Sequence, residues 1–405
     1  MEIIIERGCG LDVHKETVVG CIMGTGVKKE IRTYTTMTND LLRLKEWLQE
    51  AGVTHVAMES TGVYWKPVFN ILEDHFEVIL VNARHVKNVP GRKTDVQDSE
   101  WLCRLLRSGL LRGSFIPPRG VRELRDLTRY KRKLIQTMVA EKQRVEKVLE
   151  DANIKLSSIA SDTFGASGKK IINELMRGKL EAEEMAELSK GRLRQKREDL
   201  KEALVGEVRE HHKFMIRASL KHIRAMEKIL LGIERKIREK IERDYKEEDE
   251  LLQTIPGVKE NASTIIAEIG VDMDIFPDEM HLSSWAGMSP GNNESAGKKK
   301  PGSTTYGNKC LKAILIEFGW VASRMKGTYL RSKYHSLVGR RGKKRTLVAW
   351  GHKILIMCYH ILKYKCPYKE LGEDYLDKRR KDRITRSYIK RLNHLGYEVI
   401  LQEAA

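Results

Sequence analysis

Residues 8–81 alternate between strand-like and helix-like patterns, and this alternation restricts the fold more than any other feature of the chain. Strands are predicted at five apolar segments: GCGLDV, TVVGCIMG, EIRTYTT, THVAMES and FEVILVN. One helix is predicted over 39–51, between the third and fourth strands, and another at VYWKPVFNILED, before the fifth. This order of elements predicts a mixed α/β sheet.

Four carboxylates lie in three short motifs of this region. They are Asp12 in GLDVHK, Glu59 in VAMEST, and Asp95 with Asp98 in KTDVQD. Asp12 and Glu59 come where apolar strand sequence stops, and ligand sites gather at such strand ends in α/β sheets. Asp95 and Asp98 are spaced to share one face of the first turn of a helix predicted over 95–108.

These carboxylates predict a site for divalent metal. Mg²⁺ (or Mn²⁺) prefers oxygen ligands, and a bound cation offsets the repulsion between neighbouring carboxylates. Two metals about 4 Å apart can stabilise the attacking and leaving oxygens of an in-line phosphoryl transfer. The alternative is that Asp95 caps its helix and the other three form surface ion pairs. Because the chain has a formal net charge of +19, a cluster of four carboxylates favours the metal site.

The composition indicates a globular protein whose partner is a polyanion. Lys and Arg total 75 against 56 Asp and Glu, so the surface field attracts nucleic acid. No apolar run approaches the roughly 20 residues that span a bilayer, and MEIIIERG at the N-terminus lacks the layout of a signal peptide. We therefore expect a cytoplasmic protein without membrane contact. The six cysteines form no CxxC pair and are expected to be reduced.

Long charged helices are predicted after Pro117 and Pro118. Two interleaved heptad series run through a helix at about 121–150: Leu127, Leu134 and Val148, and Leu124, Met138 and Val145. A helix at about 203–242 has a similar series: Ile216, Ile223, Leu230 and Ile237. The two helices predict an antiparallel coiled coil. Because its apolar seam is longer than one small domain needs, we expect it to join chains into a homo-oligomer, a dimer or tetramer.

A further helical region begins near residue 250. LLQTIPGVKENASTIIAEIG predicts a helix-hairpin-helix-like unit whose turn presents backbone amides to a phosphate. A loop rich in Gly, Ser, Asn and Lys follows and leads into an apolar helix at 309–323.

Ser295 in this loop is a candidate nucleophile. Lys298, Lys299 and Lys300 follow it closely and would attract a phosphate. A serine hydroxyl needs a base or a metal to become nucleophilic, and neither is adjacent in sequence. The alternatives are a serine that only forms a turn and a loop that only contacts phosphate.

Basic runs mark the sequence after residue 339. In this chain we expect them to bind phosphate rather than to be merely solvated. The candidate nucleic-acid contacts, besides the three lysines of the loop, are Arg340, Arg341, Lys343, Lys344 and Arg345. His14 is a candidate metal ligand or general base, or a residue that orients Asp12.

These motifs carry a family resemblance. With GLDVHKETV, MESTGVYW, KTDVQDSEWL, IPGV and AGMSPGNNESAGK, the chain resembles the DEDD-type transposases, or recombinases, of bacterial insertion sequences that are guided by a bridge RNA. The resemblance is close over about 8–115 and 250–335. It implies a RuvC-like (RNase H-like) N-terminal domain and a C-terminal transposase domain with a catalytic serine.

The resemblance also implies a chemistry and partners. The metal tetrad falls on Asp12, Glu59, Asp95 and Asp98, and the serine on Ser295. In this family the serine attacks a DNA phosphate to give a 5′-phosphoserine link and a free 3′-hydroxyl, assisted by Mg²⁺, in a composite site. Strand exchange passes through a Holliday-junction-like intermediate. The implied partners are donor ends, target DNA and a structured guide RNA.

Four regions are predicted from these observations. They are a RuvC-like metal domain (1–115), a helical coiled-coil region (116–248), a mostly α serine-containing transposase domain (249–345) and a basic helical tail (346–405). Two rival functions remain open. A Holliday-junction-type endonuclease would use the same acidic residues with metal-activated water, and a nucleic-acid-binding scaffold would have no catalysis.

Overall fold

The computed structural model of the chain has two units, Met1–Pro117 and Pro118–Ala405. It describes residues 4–60, 62–82, 86, 98–291, 294–295, 298–299 and 303–400. Asp95 and Lys300, two of the predicted site residues, lie outside the described residues. The division of the chain into four regions stays a prediction.

The first unit contains a five-stranded mixed sheet. Its strands are β1 (Arg7–Val13), β2 (Thr17–Gly24), β3 (Val27–Thr35), β4 (His55–Glu59) and β5 (Glu77–Val81). The sheet order is β3-β2-β1-β4-β5, with antiparallel pairing among the first three strands and parallel pairing of β1 with β4 and of β4 with β5. The predicted α/β class and the positions of all five strands are confirmed.

Helices pack on both faces of this sheet because side chains alternate along β1. Cys9, Leu11 and Val13 belong to a core shared with α1 (Thr38–Glu50) and α2 (Trp65–Leu72). Gly8 and Gly10 face the opposite side, where α3 (Asp98–Arg107) packs. The predicted helix at 95–108 is thus present from Asp98 onward in the described chain.

The second unit is helical. Its helices are α4 (Arg119–Asp151), α5 (Leu156–Ile159), α6 (Ala166–Arg177), α7 (Ala182–Glu187), α8 (Arg197–Ala203), α9 (Glu210–Asp244), α10 (Lys246–Gln253), α11 (Ala262–Ile269), α12 (Glu279–Trp285), α13 (Lys309–Ala322), α14 (Tyr329–Arg341), α15 (Lys343–Tyr364) and α16 (Tyr375–His394). Short 3₁₀ turns occupy Gly191–Lys196 and Lys259–Asn261, and two short strands are β6 (Glu294–Ser295) and β7 (Lys298–Lys299). No helix in the described ranges is both long and apolar enough to cross a bilayer.

Helices α4 and α9, for which an antiparallel coiled coil is predicted, pack against each other in antiparallel order. Ion pairs join them in reversed order: Glu123 with Lys240, Lys131 with Glu234, and Glu141 with His222. Glu141, which interrupts a heptad series, is buried and also bonds Arg144. The second helix begins at Glu210 rather than at 203.

Much of the predicted apolar seam is buried between these two helices of one chain. Leu134, Met138 and Val145 of α4 are buried, as are Ile216, Ile223 and Ile237 of α9. Leu127, Val148 and Leu230, which belong to the same series, are only half-buried. Homo-oligomerisation through these two helices stays a prediction.

The turn after α10 is used for packing. The structure has the predicted helix, turn and helix, but Ile255, Gly257 and Val258 are buried. Gly257 has φ of +94°, and a Cβ there would lie 2.9 Å from the backbone nitrogen of Ala322. Its turn therefore lies against the backbone of α13, and the expected exposure of its amides to phosphate is not found.

Candidate active site

Asp12 and Glu59 lie at the same edge of the sheet. Strands β1 and β4 are parallel, and their last paired residues are Leu11 and Met58. Asp12 and Glu59 directly follow that pair. Adjacent strands lie about 4.8 Å apart, so the two carboxylates start from neighbouring backbone positions. The sequence predicted each strand end, but only the sheet order shows that these two ends are adjacent.

His14 contacts Asp12. Its Nε2 atom lies 3.2 Å from Asp12 Oδ2, and the side chains are 61% and 25% exposed respectively. A tight turn holds them close, because the amide of His14 donates to the carbonyl of Thr17. Of the roles considered for His14, orientation of the Asp12 carboxylate is the one that this contact supports.

Gly10 allows helix α3 to lie directly on β1. A Cβ at Gly10 would be 2.1 Å from the carbonyl oxygen of Ser99 and 2.5 Å from the amide nitrogen of Cys103. Residues two apart on a strand share a face, so Asp12 follows Gly10 on the face that α3 covers. Asp98 immediately precedes Ser99 and begins the helix. A strand glycine signals such close approach, and GCGLDV carried this signal although the sequence analysis did not use it.

Glu100 is a buried carboxylate beside Asp98 that sequence reasoning missed. It is 7% exposed and accepts bonds from Lys29 of β3 at 3.2 Å and from Arg104 of α3 at 2.6 Å. Burial by itself would raise the pKa of Glu100, but the bonds from Arg104 and Lys29 lower it below the ordinary value. Glu100 therefore fixes α3 to the sheet as an anion and is committed to two cations.

The donor set at this edge suits a hard divalent cation. Asp12, Glu59 and Asp98 supply carboxylate oxygens, the ligand type that Mg²⁺ prefers. In the described part of the chain, however, no three His, Cys, Asp or Glu side chains form a group that could hold a metal ion. The predicted set includes Asp95, which lies outside that part. The structure thus brings Asp12 and Glu59 to one edge, with the Asp98 helix beside Gly10, and leaves the complete tetrad undescribed.

Ser295 lies in a hairpin between α12 and α13. It pairs with Lys298 across β6 and β7, and Glu294 pairs with Lys299. Nearer the base, the amide of Gly291 donates to the carbonyl of Ser303, and that of Thr305 donates to the carbonyl of Ser289. The described residues of the predicted loop therefore pair as an antiparallel hairpin that contains Ser295.

The base of the hairpin is fixed by close glycine contacts. A Cβ at Gly307 would lie 2.3 Å from the amide nitrogen of Gly287, so the two ends of the hairpin cross without room for a side chain. Lys312 of α13 also bonds the carbonyl of Gly287 and contacts Thr304. These contacts hold both hairpin ends against the start of α13.

A buried ionic network secures the start of α13. Glu268 of α11 is fully buried and accepts two bonds from Arg129 at 2.8 Å and one from Asn308 at 2.6 Å. The side-chain oxygen of Asn308 in turn caps α13 by accepting from the amides of Cys310 and Leu311. The network links α4, α11 and α13, and it therefore holds the start of α13, against which the hairpin ends lie, in place.

The five basic residues within 340–345 that the sequence marks as candidate nucleic-acid contacts lie where two helices meet. Arg340 and Arg341 end α14, and Lys343, Lys344 and Arg345 begin α15. All five are exposed. Cations in the first turn of a helix are unfavourable because the helix dipole is positive at that end. A bound anion would offset this repulsion. Of the lysines near Ser295, Lys298 and Lys299 form β7.

Two family models match the chain. A transposase model, DEDD_Tnp_IS110, covers residues 9–154, and a model of the transposase IS116/IS110/IS902 family covers residues 249–335. The first match contains Asp12, Glu59, Asp95 and Asp98, and the second contains Ser295. No curated protein matches the sequence.

Both matches therefore assign the chain to one class of protein, the enzymes that cleave and rejoin DNA in transposition. Together they span more than half of its length. The chain belongs to the IS110 family of transposases, with a DEDD domain at the N-terminal end. This membership implies DNA binding and indicates dependence on a divalent metal.

Proposed function

We propose that the chain is an RNA-guided DNA recombinase that moves an insertion sequence through a 5′-phosphoserine intermediate. The observation that carries the proposal is the placement of Asp12 and Glu59 at adjoining ends of parallel strands in a chain of this transposase family. The sheet order β3-β2-β1-β4-β5 supports a RuvC-like (RNase H-like) domain, in which the central strand carries a metal-binding acid.

In this proposal Asp12, Glu59, Asp95 and Asp98 hold Mg²⁺ (or Mn²⁺). The bound metal supplies charge stabilisation for the oxygens of an in-line phosphoryl transfer, worth several kcal/mol. The chain contributes the arrangement of the ligands. His14 orients the Asp12 carboxylate, and Gly10 lets the Asp98 helix lie on the strand that carries Asp12.

Ser295 is the proposed nucleophile. Its oxygen forms a bond to the DNA phosphorus while the bond from phosphorus to the 3′ oxygen breaks. The serine hydroxyl loses one proton and the departing 3′ oxygen gains one, so the products are a 5′-phosphoserine and a free 3′-hydroxyl. The hairpin suits this role because its base is fixed by Gly287, Gly307 and Lys312.

Ser295→Ala is expected to abolish cleavage and the covalent protein–DNA adduct while leaving DNA binding nearly unchanged, since the change removes a hydroxyl and no charge. The measurement is a denaturing gel of labelled DNA that contains an end of the element, followed by peptide mapping of the adduct. Ser303→Ala, in the same hairpin, is the matched control and should retain both activities.

Two results would contradict the serine assignment. One is an adduct that persists in Ser295→Ala or that maps to Ser289 or Ser303. The other is cleavage to free 5′-phosphate ends with no adduct, which would favour the alternative function, a Holliday-junction-type endonuclease using water activated by metal.

RNA guidance is the part of the proposal that concerns partners. It is supported by the formal net charge of +19 and by the exposed cations where α14 meets α15. Sequencing of the nucleic acid that copurifies with the chain is expected to return one defined structured RNA, encoded beside the gene. Recovery of only heterogeneous cellular RNA would contradict guidance while leaving the serine chemistry untouched.

A further inference from the structure

Helix α16 lies beyond both family matches, which end at residue 335. Its first turn is anchored, because Leu376 is buried and the ring of Tyr375 meets the edge of Tyr329 at a centroid distance of 5.5 Å. After Leu376, none of the α16 side chains that the structure describes is buried. Ile384, Thr385 and Ile389 are half-buried, and the other described side chains from Asp377 to His394 are exposed.

Four cations form a line along this helix. Arg379, Arg383, Arg386 and Lys390 are spaced by four, three and four residues and are all exposed. Residues at these spacings share one face, so the four charges lie along about 16 Å of helix axis. We call this line the α16 stripe.

The stripe places four like charges close together on one helix. Like charges at such spacings repel, each pair by a few tenths of a kcal/mol. A polyanion along the stripe would remove the repulsion. A nucleic-acid strand offers one phosphate per roughly 3.4 Å of axis, so several phosphates fall within its length.

We propose that the α16 stripe binds the phosphate backbone of a structured RNA. This assignment rests on the proposed RNA guidance. The proposed DNA-cleaving residues all lie inside the family matches, and α16 supplies a cationic surface outside them. Arginine, with its five donors, suits phosphate contacts and supplies three of the four charges.

The test replaces all four stripe residues by Gln, which keeps helix propensity, and measures binding to an unrelated RNA hairpin across a salt series. Each lost phosphate contact lowers the slope of log K against log salt by about 0.9, so the slope should fall by roughly 3 to 4. The variant with all three stripe arginines replaced by Lys keeps the charge and should keep the slope.

The matched control removes four cations from the outer face of α9: Lys221, Arg224, Lys228 and Arg235, each to Gln. These residues are also exposed, and the net charge falls by the same amount. They lie on a helix that packs against α4 and that the proposal does not assign to RNA. The slope of log K against log salt should therefore change little in this control. An equal fall in both variants would show a general charge effect and overturn the stripe as a site.

Hydrogen exchange gives a second measurement on the whole protein. Amides of 377–394 should become protected when the RNA hairpin binds, and the Gln variant should lose that protection. An unchanged slope, or a larger loss on a DNA duplex or on anionic vesicles than on RNA, would overturn the assignment. If the hairpin binds through the stripe but no defined RNA copurifies, this surface stands and guide-RNA recognition fails.

Discussion

Asp12→Asn is expected to reduce metal-dependent DNA cleavage roughly 10³-fold, since losing one charged ligand forfeits several kcal/mol of transition-state stabilisation. Stability should change little, because Asp12 is partly exposed and its contact with His14 is an exposed pair. Single-turnover cleavage with saturating Mg²⁺ measures the effect, and circular dichroism verifies the fold.

Glu77→Gln is the matched control for this experiment. Glu77 is the first residue of β5 and so lies at the opposite end of the parallel strands from Asp12. Its carboxylate pairs with His55 at 3.0 Å, as Asp12 pairs with His14. The control should cleave at the rate of the unsubstituted chain. An equal loss of cleavage in both variants would show that these carboxylate–histidine pairs act through folding of the sheet and not through the metal. Full activity of Asp12→Asn would end the metal-site proposal.

Glu268→Ala is expected to lower the free energy of unfolding by about 3 kcal/mol, near the lower end for breaking a buried ion pair. The lower end applies because the Arg129 side chain is 45% exposed and keeps part of its hydration. The change also leaves the Asn308 amide without its acceptor and so loosens the start of α13. Urea unfolding monitored by circular dichroism measures the loss.

The effect of Glu268 depends on pH with a defined sign. Burial would raise its pKa, but the bonds from Arg129 and Asn308 outweigh burial and lower it. A carboxylate with a lowered pKa stabilises the fold above its ordinary value of 4.5 and loses this contribution as the pH falls through the lowered pKa. The difference between Glu268→Ala and the unsubstituted chain should therefore shrink in acid.

Glu123→Ala provides the comparison for Glu268. Glu123 also contacts a cation from another helix, Lys240 at 2.8 Å, but its side chain is 60% exposed. Exposed pairs of this kind contribute at most about 1 kcal/mol. If the two variants lost equal stability, burial of Glu268 would not be the source of its effect. Loss of cleavage in Glu268→Ala with stability intact would instead assign it to positioning the serine hairpin.

The sequence by itself determined the local features of this chain. Apolar runs of strand length located all five strands. Heptad spacing located α4 and α9 and their pairing, because apolar stripes of that length need a partner helix. The family motifs placed the candidate carboxylates and Ser295 in segments that the family models also match.

Only the tertiary structure decided which distant residues meet. Sheet order made the ends of β1 and β4 neighbours, and strand patterns do not encode order. Helices α4 and α9 pair within one chain, although heptads alone fit partners from the same or another chain equally well. The buried pairing of Glu268 with Arg129 and Asn308 joins residues far apart in sequence, and charge periodicity carries no signal for it. Local spacing fixes which face a residue occupies, but the packing of remote segments fixes what that face touches.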